Sequence, residues 1–459
     1  VRAVAPGAIM ATGRSDFPNQ VNNVLCFPFI FRGALDVGAT QINDEMQLAC
    51  IEGIAALARA TTSAEAAAAY QGERLTFGAE YLIPKPFDPR LIGVVASAVA
   101  KAAMETGVAT RPISDLHAYR DKLNGSVYRS ALIMRPVFEA SRLADRRIVF
   151  SEGEDERVLR AANAMLEETT DKPILIGRPE VIAMRAERAG LPIRPDRDFE
   201  IVNPESDTRY RDYWGSYHEL MARKGVTPDL ARAIMRTNTT AIAAIAVHRG
   251  DADSMICGTF GQYLWHLKYV TEVLGRDGLS AHGALSLMIL EDGPLFIADT
   301  QVNPVPTPDQ IALTTLGAVR HAKRFGVTPK VALCSHSNFG NLDSDSGLRM
   351  RAALAMLDAE PRGFAYEGEM SIDAALDPDL RGRMFPGARI EGAANILVFA
   401  YSDAANAARN ILRMKAGGLE VGPILMGMGN KAHIVTPSIT ARGLLNISAL
   451  AGTPVAHYG

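Results

Sequence analysis

The sequence predicts an α/β protein built on parallel sheet, preceded by a smaller segment of different character. Three observations carry this. From Arg147 onward, short β-branched runs alternate with helical stretches, the mark of βαβ units with right-handed crossovers. At 459 residues the chain is too long for one ordinary core, so two or three domains are expected. Its composition, 48% hydrophobic and 22% charged, is that of a globular protein.

The first segment runs from Val1 to about Thr106. Val1–Thr12 reads as the end of an interior strand feeding a loop, and there is no initiating Met, so the chain is expected to be a fragment of a longer one. Asp16, Pro18, Asn19, Asn22 and Asn23 form a polar loop before the apolar run Cys26–Phe31, which Pro28 interrupts. An asparagine pair can hold a hydroxyl or carboxylate through one donor and one acceptor, or it can simply make an Asx-turn. Asn43-Asp44 caps a helix reaching Ala60, with Leu48, Ile51, Ile54 and Leu57 at apolar spacing. Ser63–Tyr70 is a second helix, Tyr81–Pro89 a proline-stiffened extended piece, and Leu91–Met104 a closing helix. Residues 107–135 read as a connector holding one short helix, DLHAYRDKL, between Pro112 and the turn signal Asn124-Gly125.

Beyond the connector the alternation sets in. Arg147–Ser151, Pro173–Gly177, Ile201–Pro204 and Asp253–Gly258 are strands, and acids at Glu152–Glu156 suit the positive end of the first helix. Tyr210, Tyr213, Trp214 and Tyr217 make an aromatic stripe at helical spacing, which is packing. Strands recur at Leu285–Leu290, Leu295–Ala298 and Lys330–Leu333. The last of these ends in CSHSNFG, where Ser335, Ser337 and Asn338 can donate to a phosphate at the carboxyl end of a strand. His336 lies beside serine but without the G-x-S-x-G elbow a nucleophilic triad would need.

Gly422–Leu450 is the stretch richest in ligand signals. Gly422-Pro423 is a turn signal, followed by a loop with Gly427 and Gly429, the basic pair Lys431 and His433, and a short run ending at Pro437. A polar loop, Ser438–Gly443, carries Arg442 into an apolar helical segment. Backbone N–H groups and a cation converging in such a loop can dock phosphate.

Net charge is −3, which argues against nucleic acid or an anionic membrane surface as partner. No apolar run reaches the roughly 18 residues needed to span a bilayer. Cys26, Cys50, Cys257 and Cys334 are widely spaced in apolar runs, as expected of free thiols in a reducing cytoplasm.

GRSDFPNQVNN, FIFRGALD and IPKPFDPRL resemble the C-terminal half of the nucleotide-binding domain of bacterial NADP-dependent malic enzymes. The resemblance implies a Rossmann-type half-domain over 1–106 and contacts to malate and the nicotinamide end of NADP by Asn22 and Asn23. It also implies Mg or Mn in the parent protein, yet the sequence shows no Gly-rich fingerprint and no carboxylate cluster for a metal.

SEGEDERVLRAA, ADTQVN, CSHSNFG, EGAANILVF and GPILMGM resemble phosphotransacetylases from about Arg146 onward. The resemblance implies a two-part α/β region, isocitrate/isopropylmalate dehydrogenase-like, over 136–459. The first subdomain would be 136–282 plus 436–459 and the inserted one 283–435, with dimerisation through this region and a ligand cleft between the parts. Lys268, Ser335, Ser337, Asn338, Asn395 and Arg442 are the acyl-CoA or phosphate residues it suggests. The family's Ser and Asp positions hold Ala441 and Ser448, an Arg is replaced by Lys268, and another falls near Met221, Arg223 and Lys224. A serine hydroxyl is no base near neutral pH. The expected function is therefore a degenerate tail that binds acetyl-CoA as effector of a malic enzyme. The alternative is a working phosphate acetyltransferase with His433 or His336 as base; an isocitrate-dehydrogenase-like activity lacks its metal carboxylates.

Overall fold

The computed structural model describes residues 7–453 apart from 15–16, 61–76, 86–87, 89, 196, 276–277, 291 and 417–418. The chain divides into two compact units, 1–132 and 133–459, and the division falls inside the helix Leu116–Ser141. The predicted helix Ser63–Tyr70 lies outside the described residues.

The first unit is helical. Asn43 caps the helix Asp44–Arg59, its side chain accepting from the Met46 N–H. That helix packs with Phe27–Asp36 and Ser97–Glu105, the latter entered through a π-helical turn at Ile92–Ala96. The expected strand architecture of a Rossmann half-domain is not present among the described residues of this unit, which hold helices and isolated bridges. The Cys26–Phe31 run, in which Pro28 suggested a break, is instead the start of a helix, because proline at the first turn costs no hydrogen bond. The buried stripe of Asp44–Arg59 is Met46, Cys50, Gly53 and Leu57, not the stripe through Leu48 and Ile51, which are 55% and 61% exposed. Two apolar registers share that helix, and packing selected the one whose small residues let neighbouring helices approach. The short connector helix is also corrected: Leu116–Ser141 runs through both Asn124-Gly125 and Pro136.

The second unit contains two sheets. The first is five-stranded and parallel, in the order β11-β4-β1-β2-β3. Its strands are β1 Arg147–Phe150, β2 Lys172–Ile176, β3 Glu200–Val202, β4 Ser254–Cys257 and β11 Ala432–Ile434. The second is six-stranded and mixed, in the order β10-β5-β6-β9-β7-β8. Its strands are β5 Gly283–Leu290, β6 Gly293–Ala298, β7 Lys330–Cys334, β8 Ala365–Met370, β9 Ile396–Phe399 and β10 Leu419–Met426. β5 and β6 are antiparallel, being joined by too few residues for a crossover, and β10 also pairs antiparallel with β5, while β6, β9, β7 and β8 are parallel. The Gly422-Pro423 signal proves to be no turn: it sits inside β10, where the pairing with β5 shifts register between Val421 and Ile424. Proline is tolerated there because β10 is an edge strand and the irregularity frees its missing donor.

One core joins the sheets through the helix Ala441–Gly452, whose Leu444, Leu445, Ile447 and Leu450 are buried. The aromatic stripe of Tyr210–Met221 packs as expected, with Tyr213 and Tyr217 buried in the core that this helix shares with Thr239–Arg249 and Tyr263–Leu274. Among the described residues, no helix is long and apolar enough to cross a membrane.

Candidate functional site

The first sheet reverses its winding between β1 and β4. β1, β2 and β3 lie in sequence order to one side, and the chain then returns to place β4 on the other side of β1. At such a switch point the loops leaving adjacent strands diverge and open a crevice at the carboxyl edge. A cavity of about 650 Å³ lies there, lined by residues following β1 (Ser151, Glu152 and Glu154 to Glu156), β2 (Gly177 and Arg178), β3 (Pro204 and Glu205) and β4 (Phe260).

Glu152 stands at the reversal itself. It is 7% exposed, and its Oε2 accepts from the Gly258 N–H at 3.0 Å and the Thr259 N–H at 3.3 Å, both on the loop after β4. Its Oε1 is buried with no hydrogen-bond partner. Burial pushes its carboxyl up to about 8, against the lowering effect of the two backbone donors. Glu152 therefore carries a proton over much of the neutral range, beside a cavity it lines.

The walls are charged and preorganised. Arg178 forks onto Glu154 with Nε–Oε1 and Nη2–Oε2 both at 2.9 Å. Asp155 caps Glu156–Glu168 by accepting from the Arg157 N–H, and the Arg157 guanidinium holds the carbonyls of Thr259, Pro437 and Ile439. One arginine thus ties the loops after β4 and β11 to the first helix. Arg236 donates to the Pro204 carbonyl at 2.8 Å and lies over the Tyr210 ring. His266 bridges Thr240 Oγ1 and the Phe260 carbonyl, and burial lowers its pKa, so it fixes the loop as a neutral ring. Among the described residues no group of three or more His, Cys, Asp or Glu could hold a metal ion.

The residues singled out from sequence are dispersed. None of Lys268, Ser335, Ser337, Asn338, Asn395 and Arg442 lines the Glu152 cavity. Lys268 is exposed on Tyr263–Leu274, beside the Tyr269 ring. Ser335, Ser337 and Asn338 do follow β7, but their groups are engaged within the loop and with the end of β8. Ser337 Oγ donates to buried Glu369 at 2.8 Å, Ser335 Oγ lies 3.0 Å from Ser337 Oγ, and Asn338 Oδ1 accepts from Ser371. Asn395 is at the other end of the strands, where it accepts from the Lys330 N–H and donates to the Thr328 carbonyl. Arg442 is not in a loop: Thr440 caps the helix Ala441–Gly452, and Arg442 in its first turn binds both oxygens of Glu168, at 2.9 and 3.1 Å. Met221 is buried, with Arg223 and Lys224 exposed on the turn after it.

Ser448 is fully buried in that last helix and donates to the Leu444 carbonyl at 2.8 Å. His433, one candidate for a relocated base, is enclosed by the fold. It is buried within β11, its Nε2 is 3.0 Å from Asn430 Oδ1, and burial lowers its pKa to about 3. His336 is exposed, with Nδ1 3.5 Å from Ser346 Oγ. In the first unit, Asn22 caps the short turn Asn23–Leu25 by accepting from the Val24 N–H, and Asn23 is exposed. The asparagine that holds this loop is Asn19, 5% exposed, which donates to the carbonyls of Met10 and Ala79 and accepts from the Leu82 N–H.

Sequence reasoning passed over Glu152, Arg178 and Arg236. The signal in the sequence is the run of acids immediately after a buried strand, which dipole complementation also explains.

A phosphate acetyl/butaryl transferase profile matches residues 132–452. An NAD-dependent malic enzyme of Rhizobium meliloti is 54% identical over 99% of this chain and 60% of its own length. An NADP-dependent malic enzyme of Salmonella typhimurium is 51% identical over 98% of this chain and 60% of its own length. The chain thus spans about 60% of the length of these curated relatives. Among solved structures, the EutD phosphotransacetylase of Staphylococcus aureus shares the fold at a TM-score of 0.62 and 24% identity, covering 70% of this chain and 98% of its own. With two sheets, a switch-point cavity and a profile spanning both, the chain belongs over residues 132–452 to the phosphate acetyl/butaryl transferase family.

Proposed function

We propose that this chain is part of a malic enzyme that converts malate to pyruvate and CO2 with reduction of NADP. In this reading the second unit is a transferase-derived tail that binds acetyl-CoA and assembles the oligomer without catalysing acyl transfer. The observation that carries it is Ser448, sealed in a helix and hydrogen-bonded to Leu444 where the family resemblance expects an aspartate base. Acetyl transfer to a thiol needs a group to take the thiol proton. Burial and a lowered pKa disfavour His433 for that role and leave exposed His336 as the other candidate; the active-transferase alternative is not favoured.

The relatives' names divide between NAD and NADP; NADP is the proposed cofactor, carried by several of them. The described residues of the first unit do not fit a complete dinucleotide or divalent-metal site. Asn22 has its carbonyl engaged by Val24, and no metal-holding cluster is formed among the described residues. Asn22 and Asn23 are proposed only as contacts to malate or to the nicotinamide end, in what would be the C-terminal half of a nucleotide-binding domain.

For the tail, the proposed acyl-CoA contacts are Lys268, the strand-end loop at Ser335 and Asn338, and Arg442, whose side chain is half exposed despite its bond to Glu168. Oligomerisation is assigned to the second unit, where Leu264 and Trp265 are exposed on adjacent positions of one helix. Regulation follows if acetyl-CoA binds one quaternary state better than another. Calorimetric titration with acetyl-CoA, paired with an acetyl-phosphate:CoA transfer assay on the same sample, tests this. Binding without turnover is expected; turnover clearly above background would overturn it. Lys268→Ala should weaken binding, and unchanged affinity would remove Lys268 from the site.

A further inference from the structure

A second cavity, of about 330 Å³, lies between the helix Pro308–Arg324 and the glycine loop joining β10 to β11. It is at the opposite edge of the first sheet from Glu152. Asn430, which lines it, accepts at its carbonyl from Ser254 Oγ, and the next carbonyl, Lys431, accepts from the Met255 N–H. Those contacts mark the amino ends of β4 and β11, whereas the Glu152 crevice follows their carboxyl ends.

The lining is basic. Arg320 and Arg324 project from the last turns of one helix, with His282 and His321 beside them, and no carboxylate is among the described residues that line it. Arg324 is the anchor, only 6% exposed. Its Nη2 donates to the Leu450 carbonyl at 2.8 Å, and its Nη1 lies 3.1 Å from His321 Nδ1. Asn430 completes the frame. Its Nδ2 reaches the carbonyls of Leu450, Ala451 and Thr453 at 2.8–3.1 Å. A cation held this way is fixed before any ligand arrives, which removes much of the ordering cost of binding.

The loop is shaped to the same end. Gly427 has φ +92°, and a Cβ there would come within 2.6 Å of the His282 ring, so only glycine lets the loop close against it. Burial, and then the charge of Arg320, lowers the pKa of His282. A neutral imidazole can still donate one N–H. Leu425 and Met426 supply an apolar wall beside the cations. Two guanidinium groups and a neutral ring suit the several oxygens of a phosphate.

We propose that this cavity is a phosphate site, taking inorganic phosphate or the phosphate of a small monoester, and that it is separate from the acyl-CoA reading above. The test is thermal shift and calorimetry on the full chain at constant ionic strength, with inorganic phosphate, glycerol 3-phosphate and matched KCl. Either phosphate species should raise the melting temperature while KCl does not. Tighter binding of glycerol 3-phosphate would make the ligand a monoester, and tighter binding of inorganic phosphate the free ion. Arg320→Gln, at an exposed position, should weaken binding about tenfold or more without moving the unliganded melting temperature. Arg324→Met is the second variant, read by the loss of the phosphate-induced shift relative to its own baseline. Phosphate binding no better than chloride, or undiminished in Arg320→Gln, would overturn the proposal. The same variant should leave acetyl-CoA affinity unchanged, which separates failure here from failure of the tail's proposed function.

Discussion

Replacing Glu152 with Gln should change how stability depends on pH more than it changes the fold. Glutamine keeps an acceptor for the Gly258 and Thr259 N–H groups and removes the ionisable proton. In the unfolded chain the carboxyl loses its proton near the ordinary 4.5, while in the folded chain it holds it up to about 8. Because the folded value is raised, Glu152 costs nothing below 4.5. Folding is then progressively penalised as pH rises toward about 8, and the penalty is constant above that. At about 1.4 kcal/mol per pH unit, the full separation sets an upper bound of roughly 5 kcal/mol. The carboxylate borders a cavity that water can enter, so an observed effect of about 1–3 kcal/mol is expected. Urea midpoints at several pH values between 5 and 9, read by the fluorescence of Trp214 and Trp265, measure it. The variant should gain on the parent steadily from pH 5 to 8 and then hold level. A constant offset across that range would refute the argument, because it would mean Glu152 titrates alike in both states.

Three further outcomes follow from single contacts. Gly258 has φ +101°, and a Cβ there would overlap the Val435 carbonyl oxygen, so Gly258→Ala should cost at least about 2 kcal/mol and lower the melting temperature. An unchanged melting temperature would contradict the close approach of the loops after β4 and β11. Arg442→Ala should cost about 1 kcal/mol near pH 8 and less near pH 5. Glu168 is 5% exposed, burial already raises its pKa, and without Arg442 it rises further, so the penalty grows with pH; equal losses at both pH values would refute this. Cys26 Sγ and Cys50 Sγ are 3.2 Å apart, and burial, aided by that contact, pushes the Cys50 thiol up to about 12. Alkylation of the folded chain at neutral pH should therefore label Cys26 well before Cys50, and equal labelling would show that Cys50 is accessible as thiolate.

Period and local chemistry determined a good deal of this protein. The alternation after Arg147 placed β1, β2, β4 and their helices to within a few residues, and Asn43 marked a helix start that its side chain makes. What the sequence could not carry is everything that depends on pairing between distant segments. Strand order is one such property: the reversal between β1 and β4 turns Glu152 from a helix-opening acid into a buried carboxyl above a cavity. Choice of partner is another. Nothing near Arg442 in the sequence marks its ion pair with Glu168, 274 positions away. Arg324 gave no sign in a helix of ordinary composition, and became an anchored cation once Asn430 and the end of the last helix closed around it. Local spacing fixes secondary structure because its forces act within a few residues. Desolvation and charge pairing act across the tertiary fold, and they decide which side chains remain available to a ligand.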